Sequence, residues 1–341
     1  MVIYIIIWGL LLLSCLISKR SIALYLLWLI ILVFLAGGRD ITVGIDTRHY
    51  KEMFEIAGGG TFEAWVEPLW SLFGYLYYNF VSSDFNAFLF AVSLIALSIL
   101  FYVSYKESPN PVFSIFIYYS LHWYTASYNI MRQHFAAPIV LLSWYYLHQD
   151  KKYKSLIILA IAYGFHDSSI FALIVFLWIK CKLTLRRIFI LLLVSFVIGS
   201  IINENLMFEI LPSFLMYFLN KDHIFRDNLP LILTLVFCQN LMVACVLKCI
   251  PKSMLNNFWF KIFILSCAVF NATYMIAYAA RIYTVFAMCQ VIAFPLIISS
   301  ATKYKRFFVT FLLLGYLSAQ FFRILLNDQN GLIPYVNVFL N

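Results

Sequence analysis

The sequence predicts an all-α polytopic membrane protein, with about 12 transmembrane helices and one further re-entrant or interfacial helix. Three observations carry this. Of the 341 residues, 64% are hydrophobic and 11% are charged, where a soluble domain carries about 25% charged residues. The mean hydropathy is +0.91. Apolar runs of membrane-span length recur from end to end of the chain. Such a chain has too little charge to cover a water-facing surface, so lipid must serve as its solvent. A soluble two-domain enzyme is excluded. The net charge of +9 would suggest nucleic acid in a soluble protein. Here the basic residues form short clusters between apolar runs, where no nucleic-acid module has room to fold.

The first run, Met1 to Ser18, lacks a basic leader and is followed at once by another apolar run. It therefore reads as a retained helix rather than a signal peptide. Further apolar runs follow at 21–37, 66–81, 85–105, 111–128, 133–148, 154–166, 168–180, 188–202, 230–247, 258–280, 282–300 and 306–326. The breaks between them carry charges or Pro, Asn and Ser. Residues 1–341 thus read as a single integral membrane domain with two long polar stretches. The outer loop at 38–66 carries a candidate catalytic motif. The outer loop at 203–229 reads as an interfacial amphipathic helix, placed to cover a cavity and to contact sugars through Tyr217 and Phe218. Asn327 to Asn330 form an outer-facing tail, also placed to line the site. The seven cysteines form no CxxC pair and read as packing residues, with no disulfide. His49, His122, His134, His148 and His223 have no ligand-like spacing, so no metal is expected. The absence of a glycine-rich phosphate loop gives no reason to expect a cofactor.

Basic clusters favour the cytoplasmic face. Placing Lys19/Arg20, Lys106, Lys151/Lys152/Lys154, Lys180/Lys182/Arg186/Arg187, Lys248/Lys252/Lys261 and Lys303/Lys305/Arg306 inside puts two-thirds of the basic residues there. All acidic residues except Glu107 and Asp150 then fall outside. Read as one span, 155–179 would invert everything downstream and spoil this division. It is therefore expected to be a short hairpin, turning at Gly164-Phe165-His166-Asp167 below the outer surface. Residues 66–105 must cross an odd number of times, so 66–81 is assigned as re-entrant or interfacial and 85–105 as spanning.

This layout gathers polar residues at the outer ends of the helices. They are Arg39, Asp40, Asp46 and Tyr50 in the first outer loop, Glu67 at the start of 66–81, Arg132-Gln133 at a turn, His166 and Ser168 at the recessed hairpin, and Arg281. Arg281 is the sole charged residue between Ile262 and Thr302. Taken singly, each is ordinary: a lone arginine at a turn snorkels to the interface, and a histidine often ends a helix. Together they are more informative. Guanidinium groups on separate turns of one face suit phosphate oxygens. Asp40, Asp46 and Glu67 offer a general base, and His166 offers a group that exchanges protons near neutral pH. A lipid-linked phosphorylated substrate fits such a pocket.

The pattern Arg39…Gly44-Ile45-Asp46-Thr47…Tyr50, Glu67, Arg132-Gln133-x-x-Ala136, His166-x-Ser168, Arg281 and Ile333-Pro334-Tyr335 resembles the EpsG-like family of Wzy-type bacterial polysaccharide polymerases. These act in O-antigen, capsule and exopolysaccharide assembly, and the resemblance runs from about residue 3 to 339. It implies a GT-C-like glycosyltransferase architecture in the bacterial inner membrane, with the active site facing the periplasm. The growing glycan on undecaprenyl diphosphate would be the donor. A fresh undecaprenyl-diphosphate-linked repeat unit would supply the acceptor hydroxyl. A chain-length regulator and a flippase would be membrane partners. On this reading Arg132 and Arg281, with Arg39 assisting, stabilise the leaving diphosphate. Asp46 is the first choice of base, with Asp40, Glu67 and His166 as alternates, and Tyr50, Gln133 and Ser168 contact acceptor or sugar.

A flippase or transporter of the same lipid-linked unit and an O-antigen ligase are the alternatives. Transporters place charges near the bilayer midplane, whereas these residues gather toward one face. The ligase would use the same donor and similar arginines. For topology, a single cysteine at position 166 is expected to label from the periplasmic side, slowly. Labelling from the cytoplasm would invert the layout.

Overall fold

Long apolar runs without strand alternation satisfy their backbone groups internally by winding into helices. The computed structural model describes residues 1–17, 20–62, 66–201, 229–276, 279–328 and 330–340, and these contain helices and no strand. The expected interfacial helix, with Tyr217 and Phe218, lies outside the described residues, as do Glu63 and Gln329. The chain divides into two compact units. The first comprises Met1–Ile170, Phe294–Leu296 and Leu314–Asn341, and the second Phe171–Ala293 and Ile297–Leu313.

The first unit contains α1 (Val2–Ile17), α2 (Ile22–Gly37), α3 (Thr47–Gly58), α4 (Pro68–Phe80), α5 (Phe85–Glu107), α6 (Pro111–Ser120), α7 (Trp123–Ala126), α8 (Met131–His148) and α9 (Lys152–Phe165). Helix α2 packs along α5, α5 along α8, α8 along α9, and α3 on α4. Helices α8 and α9 are joined by reciprocal bonds, in which each of the Ser143 and Ser155 hydroxyls donates to the other residue's carbonyl at 2.8 Å. Such small-residue contacts let helices pack closely in lipid. Ile6, Leu10 and Leu13 of α1 and Leu26, Leu27 and Ile30 of α2 face outward, an apolar exposure that suits a lipid boundary. Below the α4 N-terminus, Phe73 stacks on Phe135 at 5.7 Å, and Phe135 meets Phe165 at 4.7 Å. This aromatic plate joins α4, α8 and α9.

A 3₁₀ turn (Asp167–Leu173) begins in the first unit and runs into α10 (Ile174–Trp178) of the second, which also contains α11 (Leu185–Ile201), α12 (Leu229–Cys249), α13 (Phe258–Thr273), α14 (Ala280–Ala287) and most of α15 (Gln290–Ser300). Helix α16 (Lys303–Asn327) begins in the second unit and ends in the first. In the second unit, the Asn240 and Asn271 amides exchange hydrogen bonds at 3.0 Å between α12 and α13. Lys261 Nζ donates to the Ile179 carbonyl at 2.7 Å.

Among the described residues three helices are long and apolar enough to cross a membrane: Phe85–Glu107, Pro230–Cys249 and Lys303–Asn327. A fourth is reached if α14 and α15, bent by 47° at their junction, count as one span. Several expected spans are shorter or broken. The run 111–128 breaks at His122, whose backbone is left-handed (φ 60°). Its ring explains the break: Nε2 bonds the Phe321 carbonyl at 2.8 Å and Nδ1 bonds the Thr125 hydroxyl at 2.9 Å. Apolarity cannot report such a bond to a residue 199 positions away. Helix α4 has 13 residues and rises about 20 Å, less than the ~30 Å hydrocarbon core.

The C-terminal segment straps the first outer loop. Asp40 N donates to the Val336 carbonyl at 3.0 Å and Val338 N to the Gly38 carbonyl at 2.8 Å, on either side of an Arg39–Asn337 bridge. Gly44 N donates to the Gly331 carbonyl at 2.8 Å. Gly44 has φ +92°, and a Cβ there would stand 2.8 Å from Thr47 Oγ1 and 3.0 Å from Asn129 Oδ1. Both the backbone and the space require glycine. Gly44→Ala is therefore expected to cost about 1–3 kcal/mol, read as a lower thermal midpoint of the detergent-solubilised protein. An unchanged midpoint would contradict this loop conformation.

Candidate active site

Glu67 immediately precedes Pro68, the first residue of α4. Proline there sets the entry of the chain into the helix and leaves Glu67 at the helix boundary. His166 ends α9 in extended backbone, its N–H bonded to the Ala162 carbonyl at 3.0 Å. The two meet because α9 approaches α4 closely at Gly164, where a Cβ would lie 2.5 Å from Leu69 Cδ1. Arg132 enters from the first turn of α8.

These three residues share one buried carboxylate. His166 Nδ1 bonds Glu67 Oε1 at 2.6 Å, and Arg132 Nη1 donates to Glu67 Oε2. Glu67 and His166 are each 7% exposed. Burial pushes the Glu67 pKa up, but the His166 bond and the Arg132 charge outweigh it and hold the carboxyl below the ordinary 4.5. An ionised carboxylate only accepts, so His166 Nδ1 carries the proton. In the neutral ring Nε2 is then the basic nitrogen. Nε2 is buried and has no hydrogen-bond partner among the described residues, and the same holds for Ser168 Oγ two residues on.

Tyr50, from α3, packs against Arg132. Burial raises its phenol pKa, and the neighbouring guanidinium opposes that shift. Gln133 is buried beside Arg132 in sequence. Asp46 also acts on Tyr50, its negative charge raising the phenol pKa further. Asp46 is exposed at the start of α3, its side chain making no capping bond, while its backbone N–H donates to Asn129 Oδ1 at 3.3 Å. Asp40 folds back on its own loop, accepting from Thr42 N at 2.9 Å and from Thr42 Oγ1 at 2.7 Å. Arg39 is 2% exposed, its guanidinium 4.4 Å above the Tyr128 ring and Nη1 donating to the Ala36 carbonyl. Burial lowers its pKa from the ordinary arginine value. Arg281 is exposed in the first turn of α14, in the second unit.

Tyr128, Asn129 and His134 were not candidates in the sequence. Tyr128 offered no signal, being one of 23 tyrosines. Asn129, three residues before Arg132, was the nearest hint. Among the described residues no group of three His, Cys, Asp or Glu side chains is arranged to hold a metal ion.

The molecule is thus an all-helical, membrane-embedded protein with a buried carboxylate–histidine–arginine cluster where three helix ends meet. It belongs to the EpsG family, whose model matches residues 22–337, nearly the whole chain. With that membership comes a glycosyltransferase-like, polysaccharide-polymerase type of function in exopolysaccharide biosynthesis. No curated protein and no solved structure matches the chain.

The lowered Glu67 pKa fixes the sign of one pH effect. Its stabilising contribution is complete above the unfolded-state value near 4.5 and is lost as pH falls through the lower folded value. Glu67→Gln is expected to remove about 1.5–3 kcal/mol at neutral pH and to flatten the acid limb of unfolding below pH 4.5. Identical acid limbs for the two proteins would show that Glu67 does not carry this term.

Proposed function

We propose that the chain is a polysaccharide polymerase of the bacterial inner membrane, acting at the periplasmic face. It transfers the growing glycan from undecaprenyl diphosphate to a hydroxyl of a new undecaprenyl-diphosphate-linked repeat unit. The observation that carries the chemistry is the Glu67–His166 pair with its unbonded Nε2. The family match supports the substrate class.

In this reading the acceptor O–H bond breaks and its proton passes to His166 Nε2. The freed oxygen pair forms the new bond to the donor's anomeric carbon. The bond from that carbon to the phosphate oxygen breaks, its electrons staying on the departing undecaprenyl diphosphate. Glu67 holds the ring in the tautomer that leaves Nε2 free to accept. A positioned acid–base group of this kind contributes about 10²–10⁴-fold. Arg132 lies beside the reacting groups, where a guanidinium stabilises developing phosphate charge, and Tyr50 braces it. Asp46, exposed and solvated, is assigned to loop structure rather than to the base.

The test is reconstitution of the purified protein with synthetic undecaprenyl-diphosphate repeat units, without nucleotide or ion gradient. Lengthened glycans in a ladder are expected from the polymerase. Transport without new bonds would indicate the flippase, and transfer only to a different lipid acceptor the ligase. His166→Ala should reduce laddering by about 10²-fold or more in folded protein, while Asp46→Asn stays within a few-fold of wild type. The reverse ranking would return the base to Asp46.

A further inference from the structure

Arg39 and His134 line a small internal cavity of the first unit, with Tyr118, Tyr124 and Ser127 among its walls. Its volume is about 20 Å³, enough for a guest the size of one water, for which about 10–15 Å³ suffices. A phosphate or diphosphate does not fit. Two nitrogens of the lining residues have no hydrogen-bond partner: Arg39 Nε and His134 Nδ1. Both residues are deeply buried, 2% and 3% exposed. Two of the hydroxyls nearby already donate to carbonyls, Ser127 to Tyr124 at 2.6 Å and Tyr124 to Leu32 at 2.7 Å.

The charge balance distinguishes the kinds of guest. Among the described residues no carboxylate pairs with Arg39, whose charge meets the face of Tyr128 and a backbone carbonyl. A buried cation without an anion carries a desolvation penalty of several kcal/mol, which a neutral guest offsets less than an anionic one. We infer that the cavity is a binding site for a single monovalent anion of the chloride class, held between Arg39 Nε–H and His134 Nδ1–H. Arg39 Nε–H donates, His134 Nδ1 donates in the tautomer that carries its proton there, and neither has a partner among the described residues. The site is separate from the glycan-transfer reading and does not depend on it. His134 lies within electrostatic reach of His166, so occupancy also changes the field at the Glu67 cluster.

The experiment is a thermal-unfolding series on the full chain in nanodiscs, exchanging sodium gluconate for sodium chloride or bromide at constant ionic strength. The midpoint is expected to rise saturably with either halide. His134→Phe removes one donor and should raise the half-saturating halide concentration about tenfold or more, as expected for a hydrogen bond to a charged group. Equal midpoints in gluconate and halide overturn the proposal, as does halide stabilisation that His134→Phe leaves unchanged. Should that variant fail to fold, wild-type crystals grown in sodium bromide decide the matter. An anomalous peak beside Arg39 Nε supports the site, and its absence rejects it.

Discussion

The buried Glu67 carboxylate is the constraint on which the rest of the first unit depends. Removing a carboxylate from water costs several kcal/mol, and the penalty is offset only when its oxygens are well bonded to groups of opposite charge. Glu67 gives one oxygen to Arg132 and the other to His166. Its donors come from residues 65 and 99 positions away, so three helix ends must arrive together. The local features serve that meeting. Pro68 fixes how the chain enters α4, Gly164 removes the side chain that would hold α9 off Leu69, and the Phe73–Phe135–Phe165 plate joins the same three helices below.

A second structure is tied to the first through one short segment, residues 128–134. Tyr128 presents its ring to Arg39, and Asn129 accepts from Asp46 N and donates to the Asn330 carbonyl at 2.9 Å. Arg132 then reaches Glu67, and His134 turns toward the Arg39 cavity. The outer loop, the C-terminal strap and the buried cluster therefore share a single seven-residue stretch as their common wall. A displacement there moves the loop and the cluster together. Asp46 acts on Tyr50 by its charge, while Glu67, Arg132 and His166 meet directly.

Much of this was legible in the sequence, and the part that was not has a definite reason. Membrane embedding and helical class follow from composition, which every residue reports. Arg132, His166 and Glu67 stood out because charge and histidine are scarce in an apolar chain, so each needs an explanation. Their pairing was not legible, because ion pairs across 65 and 99 residues leave no periodicity. Burial of the carboxylates was hidden for the same reason. Asp46 lies within the densest run of motif residues, but sequence density does not report burial, and Asp46 is exposed while Glu67 is enclosed. Arg39 looked like a phosphate ligand by residue type. Its burial against Tyr128 follows from the Arg39–Asn337 bridge, made with the far end of the chain.

The geometry also bears on why a carboxylate–imidazole pair suits this position better than a carboxylate working directly. A solvated aspartate at a helix start is a weak base, and water competes for every bond it makes. Glu67 is too firmly engaged for that role: both its oxygens are bonded, and its pKa is held down by the groups that bind it. Those bonds make it a good anchor. The short Nδ1 bond sets the ring's orientation. The consequence is a division of labour in which the buried charge never needs to move. In the proposed reaction the proton acceptor is Nε2, on the far side of the ring, which is buried and has no partner among the described residues. Arg132 completes the arrangement from the other carboxylate oxygen, keeping Glu67 ionised while its guanidinium stays partly exposed at 19%. That exposed portion is what a phosphate could reach, and it lies next to the histidine that would take the proton.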